Sequence, residues 1–216
     1  MTNRLFTARA LAGALVLAMP AAALLGAAPA MAQAPRDAGA EGFVAAGARD
    51  VLGVLNNRSL SLAAKKEAFR GLVDRLIDVP KVTRFVLGKY ARTATPDQYA
   101  RFAAVFRSYA EGVYQKRIND YHGEKVVVTG SVVRKPGDVL VTTQLSGGSG
   151  QPQAIVWRVL NSGGGWKVVD VQVSGVWLAI TQQQDFVSTI DNNGGRIDVL
   201  IDQLAHDGSG QIHGKK

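Results

Sequence analysis

The apolar residues of this chain change their spacing once, near residue 125, and that change divides the fold into two kinds of structure. Between residues 43 and 121 they recur every three or four residues, as on the buried face of a helix. From Lys125 onward they alternate with a period of two, interrupted by segments rich in Gly, Pro and Asn. The chain is therefore predicted to be an α+β protein in which helices precede an antiparallel sheet.

The clearest helix in the sequence begins at Thr95-Pro96-Asp97-Gln98. Thr95 can cap it, Pro96 suits the first helical position, and Gln98 completes a capping box. The helix is predicted to run from Pro96 to Tyr121, with aromatic rings along one face. Such a stripe is typical of a packed core, but rings with hydroxyl tips also suit the wall of an apolar cavity. Shorter helices are predicted at 43–55, from Ser61 to the break at Val79-Pro80, and at 81–87.

Four strands and two closing helices are predicted after residue 125. The predicted strands are Lys125–Val133, Asp138–Leu145, Gln153–Leu160 and Trp166–Val173. Short loops join them, so they should form an antiparallel meander, curved and packed against the N- and C-terminal helices. Valine lies on both faces of these strands, which predicts that one face packs against helices and that the other is either partly covered or forms a lining. The closing helices are predicted at Val176–Ile190 and Ile197–Leu204.

The first 32 residues have the pattern of a cleaved export signal. Arg4 and Arg9 precede an Ala/Leu-rich run from Leu11 to Leu25, and Ala30-Met31-Ala32 has the small residues that signal peptidase recognises. We therefore expect cleavage after Ala32. The remaining predicted divisions are a flexible leader at 33–42, a single domain at 43–205 and a disordered tail at 206–216.

Composition narrows the function classes further. The chain has 25 Lys and Arg against 17 Asp and Glu, a net charge of +8, and no cysteine. The lack of cysteine excludes disulfides, thiolate metal sites and a cysteine nucleophile. Because an exported protein rarely meets nucleic acid, the basic surplus favours anionic membrane surfaces or acidic protein patches as partners, with a simple solvated surface as the alternative.

The sequence offers little that resembles a catalytic site. Its histidines, His122, His206 and His213, have no metal-pair spacing. Asp170 and Asp185 are more typical of structural ion partners, although small curved-sheet folds with helices can host isomerases and leave a general-base role open. The glycine-rich segments are predicted hairpin loops and not phosphate-binding turns. The chain is therefore predicted not to be an enzyme and to carry no metal or cofactor.

Two blocks of motifs resemble a known family. The first block is Val86-Leu87-Gly88-Lys89-Tyr90, Ala94-Thr95-Pro96-Asp97-Gln98, Phe102, Phe106 and Tyr121-His122-Gly123. The second is Trp157-Arg158, Gly165-Trp166-Lys167-Val168-Val169-Asp170-Val171, Gly175-Val176, Thr181-Gln182 and Asp185-Phe186. In order and spacing they resemble the MlaC family of periplasmic lipid-binding proteins, also called the toluene-tolerance family, over about residues 43–205. A related branch associated with hopanoid lipids shares the pattern and stays open.

The resemblance implies a one-chain periplasmic shuttle that carries phospholipid between the outer and inner membranes of a Gram-negative cell. The curved sheet and helices would enclose an apolar cavity for the acyl tails, with the headgroup near solvent. The implied partners are an inner-membrane ABC transporter with a ring of MCE domains and an outer-membrane lipoprotein associated with a porin. No cofactor, metal or chemistry on the lipid is implied.

Position and residue type, taken with this resemblance, predict a set of cavity residues. The predicted lipid-binding residues are Phe85, Phe102, Phe106, Tyr109, Val113, Tyr114, Val128, Trp157, Val171, Val173 and Trp177. For each of them plain core packing is the alternative, as expected for a structural module with a filled core. Trp177 departs from the small residue that is usual in the family. Arg84, Lys89 and Arg92 are candidates to meet a phosphate at the cavity mouth, or else are solvated cations.

Overall fold

A computed structural model describes residues 35–119, 123–147 and 151–208, with the side chains of residues 114–119 left out. The helices are α1 (Ala38–Asn56), α2 (Leu62–Leu76), α3 (Val79–Val86), α4 (Pro96–Asn119), α5 (Leu178–Asn192) and α6 (Ile197–Gly208), with a 3-10 helix at Gly88–Arg92. The strands are β1 (Lys125–Lys135), β2 (Asp138–Ser146), β3 (Gln153–Asn161), β4 (Trp166–Val173) and β5 (Val176–Trp177). The predicted signal segment, the Tyr114 side chain, His122 and His213 lie outside what is described.

The strands form one antiparallel sheet in the order β1-β2-β3-β4-β5, which confirms the predicted α+β fold and meander. The short β5 was not predicted, and the predicted start of a helix at Val176 is wrong. Ser174 and Gly175 have φ values of 52° and 82°, so the chain reverses there and Val176 pairs with Val173. Helix α5 therefore begins two residues later. Bulges in β1 and between β3 and β4 bend the strands they interrupt.

The predicted flexible leader at 33–42 is wrong from residue 38 onward, because α1 begins there. The Asp37 side chain caps α1 by accepting a 2.9 Å hydrogen bond from the backbone N–H of Ala40, and Ala40 is fully buried. The glycines at 39 and 42 weaken the helical signal in the sequence, because glycine is a poor helix former. At the other end α6 continues to Gly208, so residues 206–208 are helical and not part of a tail.

Two apolar clusters hold the described domain together. One joins α3, α4, α5 and α6, and a group of aromatic rings forms its centre. The Phe102 and Phe106 rings stack with their centroids 5.7 Å apart, and the Phe186 ring meets each of them edge-on with centroids 5.9 Å apart. The other joins α1 to the sheet through buried Ala40 and Val44 and the valines of β2 and β3. Both clusters bury apolar surface, the dominant stabilising term in folding.

Gly88 provides a direct stability test of the link between the helices. It follows α3 with a φ of +57°, and a Cβ at this position would lie 2.6 Å from Cγ2 of Val187 on α5. Gly88→Ala is therefore expected to lower the free energy of unfolding by about 1–3 kcal/mol, through left-handed backbone strain and overpacking. Urea denaturation measures this change.

Gly71→Ala is the matched control for that substitution. Gly71 lies on the exposed side of α2, and a Cβ there would meet no atom within 4 Å. Alanine is the better helix former, so this change is expected to raise the free energy of unfolding by about 0.5–1 kcal/mol. A Gly88→Ala protein as stable as the wild type would contradict the strain argument.

Candidate functional site

An apolar cleft lies between α2, α3 and α4. Its apolar lining consists of Phe69, Val73, Ile77, Val79, Val82, Phe106 and Ala110. The end of α2 is fixed to the sheet, because Ile77 forms an isolated bridge with Val168 of β4 and the N–H of Asp78 donates to the Val168 carbonyl at 3.0 Å. The cleft is therefore placed by the turn between α2 and α3, which brings the apolar sides of three helices together. We call it the α2–α4 cleft.

Charged side chains form the rim of the α2–α4 cleft. Lys66, Arg70, Arg107 and Glu111 all contribute to its lining. Nη2 of Arg70 on α2 lies 2.9 Å from Oε2 of Glu111 on α4. Oδ1 of Asp74 on α2 lies 2.9 Å from Nη1 of Arg107 on α4. Two ion pairs thus connect the same two helices across the cleft. Its apolar interior and charged edge are the chemical features of a site for an amphiphile.

The rim carboxylates are held in their ionised form. Hydrogen bonding from Arg107 lowers the pKa of Asp74, and hydrogen bonding from Arg70 lowers the pKa of Glu111. Both effects oppose the smaller influence of burial, which raises the pKa of each group. The inter-helix pairs are therefore charged at neutral pH and remain so in mildly acidic solution.

The α2–α4 cleft is narrow, with a volume of about 80 Å³. Pockets for drug-sized ligands usually measure about 300–1,000 Å³, so a larger molecule can enter only if α2 and α4 move apart. The ion pairs present little obstacle to that motion. The side chains of Arg70 and Glu111 are 45% and 25% exposed, and those of Arg107 and Asp74 are 38% and 49% exposed. Pairs near the surface contribute about 0–1 kcal/mol each.

The structure separates the predicted helix residues. Phe106 lines the α2–α4 cleft, whereas Phe102 is fully buried among the helices. The Tyr109 hydroxyl lies 3.4 Å from Oε1 of Gln182, to which it donates, and burial raises the pKa of this phenol. Val113 and Phe85 are 37% and 39% exposed. Of the helix set, Phe106 is thus the residue placed directly at the cleft.

The predicted sheet residues are brought together on one face. Trp157 pairs with Val171, and the register places Val128 and Val173 on the same side of the sheet. All four are half-buried, and helix α1 packs against this face. The indole N–H of Trp157 donates to Oγ1 of buried Thr143 at 2.9 Å, which fixes the ring. Trp177 is half-buried on β5.

The cleft residues of α2 and α3 were not among the predicted site residues. Phe69 and Val73 lie within the helix predicted from Ser61, whereas Val79 is part of the predicted break and Val82 belongs to the short helix after it. Their helical spacing does not distinguish a core from a cleft. The useful signal is the neighbouring charge, since Lys66 lies one turn before Phe69 and Arg70 directly follows it on the same helix.

The three cations that were predicted to meet a lipid phosphate lie away from the α2–α4 cleft. Arg84, Lys89 and Arg92 line a second, shallow groove on another side of α3, while the cations at the α2–α4 cleft are Lys66, Arg70 and Arg107. A helix presents different residues to different sides, so Val79 and Val82 reach the cleft while Arg84 and Phe85 reach the groove. These three cations therefore do not line the α2–α4 cleft, and their role at the mouth of a lipid cavity stays a prediction.

Asp170 has a structural partner set. Its Oδ1 atom accepts hydrogen bonds from the backbone N–H groups of Val171 and Ala179, both at 2.8 Å, so it satisfies an N–H in the first turn of α5. Asp185 lies exposed on α5. Within the described ranges, no group of three or more His, Cys, Asp or Glu side chains is arranged to hold a metal ion. No helix in those ranges is both long and apolar enough to span a bilayer.

Comparison with known proteins places the chain in a family. The model of the MlaC protein family matches residues 46–206. A toluene tolerance protein of Pseudomonas putida, ttg2D, is 25% identical over 161 residues, which covers 72% of this chain and 75% of that protein. The crystal structure of a phospholipid-binding protein from Ralstonia solanacearum, solved with a bound phospholipid, superposes with a TM-score of 0.70 and 25% identity, over 80% of this chain and 98% of the other.

These matches agree with the helix-over-sheet architecture described above. The chain belongs to the MlaC family. The resemblance predicted from its two motif blocks is thereby confirmed. The comparisons do not distinguish the hopanoid-associated branch from the rest of the family.

Proposed function

We propose that this protein is a periplasmic carrier that binds the acyl chains of a phospholipid and shuttles the lipid between the outer and inner membranes. The observation that carries the proposal is the α2–α4 cleft, whose walls are apolar and whose rim holds Lys66, Arg70 and Arg107. The phospholipid in the Ralstonia relative and the family membership support the same ligand class. The proposed activity is binding and transfer without catalysis.

The energetics of acyl chains explain why a closed apolar site suits this role. Exposing a methylene group to water costs about 0.8 kcal/mol, so about thirty methylenes cost on the order of 20 kcal/mol. A carrier avoids this cost by burying the tails, and tails in the protein and tails in a bilayer then differ little in free energy. Such a carrier can both load and unload, and direction must come from the partners it meets.

The narrowness of the cleft defines how loading would occur. Because only about 80 Å³ is open in this conformation, the tails would enter as α2 and α4 separate and the pairs Arg70–Glu111 and Asp74–Arg107 break. Phe106 then lies at the start of the tail path. The half-buried sheet residues Val128, Trp157, Val171 and Val173 remain our proposal for the rest of that path.

Location and partners follow from the same proposal. Residues 1–32 would direct export and be removed, which leaves a periplasmic protein. It would meet an inner-membrane ABC transporter carrying an MCE-domain ring and an outer-membrane lipoprotein associated with a porin. In this role it would help to maintain the lipid asymmetry of the outer membrane.

The proposal is tested by mass spectrometry of lipid extracted from the mature protein, purified from the periplasm without detergent. We expect about one phospholipid per folded chain, because a carrier with an apolar site retains its ligand in water. A hopanoid in its place would assign the chain to the related branch. A folded, monodisperse sample free of lipid would contradict the carrier and favour a filled core.

A further inference from the structure

A second surface feature lies on the side of α3 away from the cleft. Four exposed side chains, Arg84, Phe85, Lys89 and Arg92, line an open groove between α3, the 3-10 helix and α5, together with Gly88, Ala91, Gln183 and Val187. Its volume is about 490 Å³, much larger than that of the α2–α4 cleft. We call it the basic groove.

The charge of the basic groove is predominantly positive. Lys89 pairs with Asp191 at 2.7 Å, and the Arg84 guanidinium stands 5.2 Å from the centre of the Tyr99 ring. Arg92 has no carboxylate within ion-pair distance among the described residues. Three cations thus face one carboxylate, and the excess charge is available to an anionic partner.

An exposed apolar edge accompanies these charges. Phe85 is 39% exposed, and its backbone carbonyl accepts a 2.6 Å hydrogen bond from the side-chain amide of Gln183, which fixes the end of α3 to α5. Ile180 precedes Gln183 and Val187 by one and two turns on α5, so it extends the same side of that helix. Ile180 is itself 39% exposed. The groove therefore presents apolar side chains among long cationic ones on a rigid support.

We propose that the basic groove is the surface through which the protein contacts a bilayer that contains anionic phospholipid. The cations would meet lipid phosphates while their aliphatic stems and the Phe85 ring lie against the acyl boundary. A bilayer suits this surface because its anionic headgroups and apolar interior complement both features at once. The proposal rests on the proposed function, since a lipid carrier must reach a membrane.

Co-sedimentation of the mature protein with vesicles tests this surface. The vesicles are phosphatidylglycerol mixed with phosphatidylcholine in one set and phosphatidylcholine alone in the other. We expect binding to the first set, little to the second, and loss of binding at high salt, because surface charges are then screened. The double substitution Arg84→Gln with Arg92→Gln should weaken binding by on the order of tenfold or more, and Phe85→Ser should weaken it severalfold.

Matched controls distinguish binding through the basic groove from binding through the overall positive charge of the protein. Arg49→Gln with Arg58→Gln removes the same charge from exposed positions in and just after α1, and Val127→Ser removes an apolar side chain that is 58% exposed on β1. Both controls should bind nearly as well as the wild type. Equal losses of vesicle binding in the control and groove variants would overturn the assignment. A wild-type protein that does not bind anionic vesicles and binds only an acidic protein would overturn it as well.

The lipid content of each variant distinguishes this inference from the proposed function. Groove variants that lose vesicle binding but still carry lipid, as determined by mass spectrometry, would support both proposals. A protein that carries lipid and never binds anionic vesicles would overturn the surface alone. A protein that never carries lipid would overturn the carrier, and vesicle binding would then require another explanation.

Discussion

Replacement of Ala110 by tryptophan is expected to abolish lipid retention while leaving the fold intact. Ala110 is half-buried on α4 and lines the α2–α4 cleft, whose volume is about 80 Å³. An indole at this position would occupy the space into which the acyl chains must enter. Overpacking costs about 1–3 kcal/mol, which a domain with a typical stability of about 5–15 kcal/mol survives.

Ala104→Trp provides the matched control for this substitution. Ala104 lies on the same helix but faces solvent, so the added ring there meets neither the cleft nor the helical core. We expect at least tenfold less phospholipid per chain in the Ala110 variant and wild-type lipid in the control, measured by mass spectrometry after purification without detergent. Circular dichroism should show both proteins folded. Full lipid content in a folded Ala110→Trp protein would place the acyl chains elsewhere.

The parts of the fold that depend on local signals were predictable from the sequence. The capping box at the start of α4 forms as expected, with the Gln98 N–H donating to Oγ1 of Thr95 and the Thr95 N–H donating to Oε1 of Gln98, both at 3.1 Å. The four main strands follow the period-two pattern because each contributes one face to the apolar cluster that also contains residues of α1. The motif blocks identified the family because they preserve order and spacing along the whole domain.

The candidate site was less predictable, because it depends on contacts between distant residues. The pairs that cross the cleft join Arg70 to Glu111 and Asp74 to Arg107, residues that lie 41 and 33 positions apart in the chain. Nothing in the spacing of a helix shows which of its apolar residues will meet a neighbour and which will line a gap. The aromatic stripe of α4 illustrates this, since Phe102 is buried in the core and Phe106, one turn later, lines the cleft.

Asp138→Asn is expected to produce the largest loss of stability that a single charge in the sheet can cause. The Asp138 side chain is only 3% exposed and accepts two hydrogen bonds from the Arg158 guanidinium, at 3.0 and 2.9 Å. Removing the carboxylate leaves that cation without its charged partner. Breaking a fully buried pair costs about 3–5 kcal/mol, and because the Arg158 side chain is 34% exposed we expect about 2 kcal/mol here.

The pH dependence of this difference tests its electrostatic origin. Hydrogen bonding from Arg158 lowers the pKa of Asp138 in the folded protein, so folding favours the ionised carboxylate. The stabilisation is therefore complete above the pKa of an unfolded aspartate, about 3.9, and is lost as the pH falls through the lower folded value. Urea denaturation should show a constant gap between wild type and Asp138→Asn above about pH 5, and a shrinking gap below about pH 4.

Glu67→Gln completes the test, because it removes a carboxylate whose ion pair is exposed. The Glu67 side chain is 73% exposed and pairs with Arg70 at 2.9 Å, so its loss should change the free energy of unfolding by less than about 0.5 kcal/mol. The other carboxylates titrate in every variant, so the differences between variants isolate one group each. The difference in the free energy of unfolding between wild type and Asp138→Asn could instead persist unchanged below pH 3. Shape and packing, and not the charge of Asp138, would then account for the stabilisation of β2 against β3 at this position.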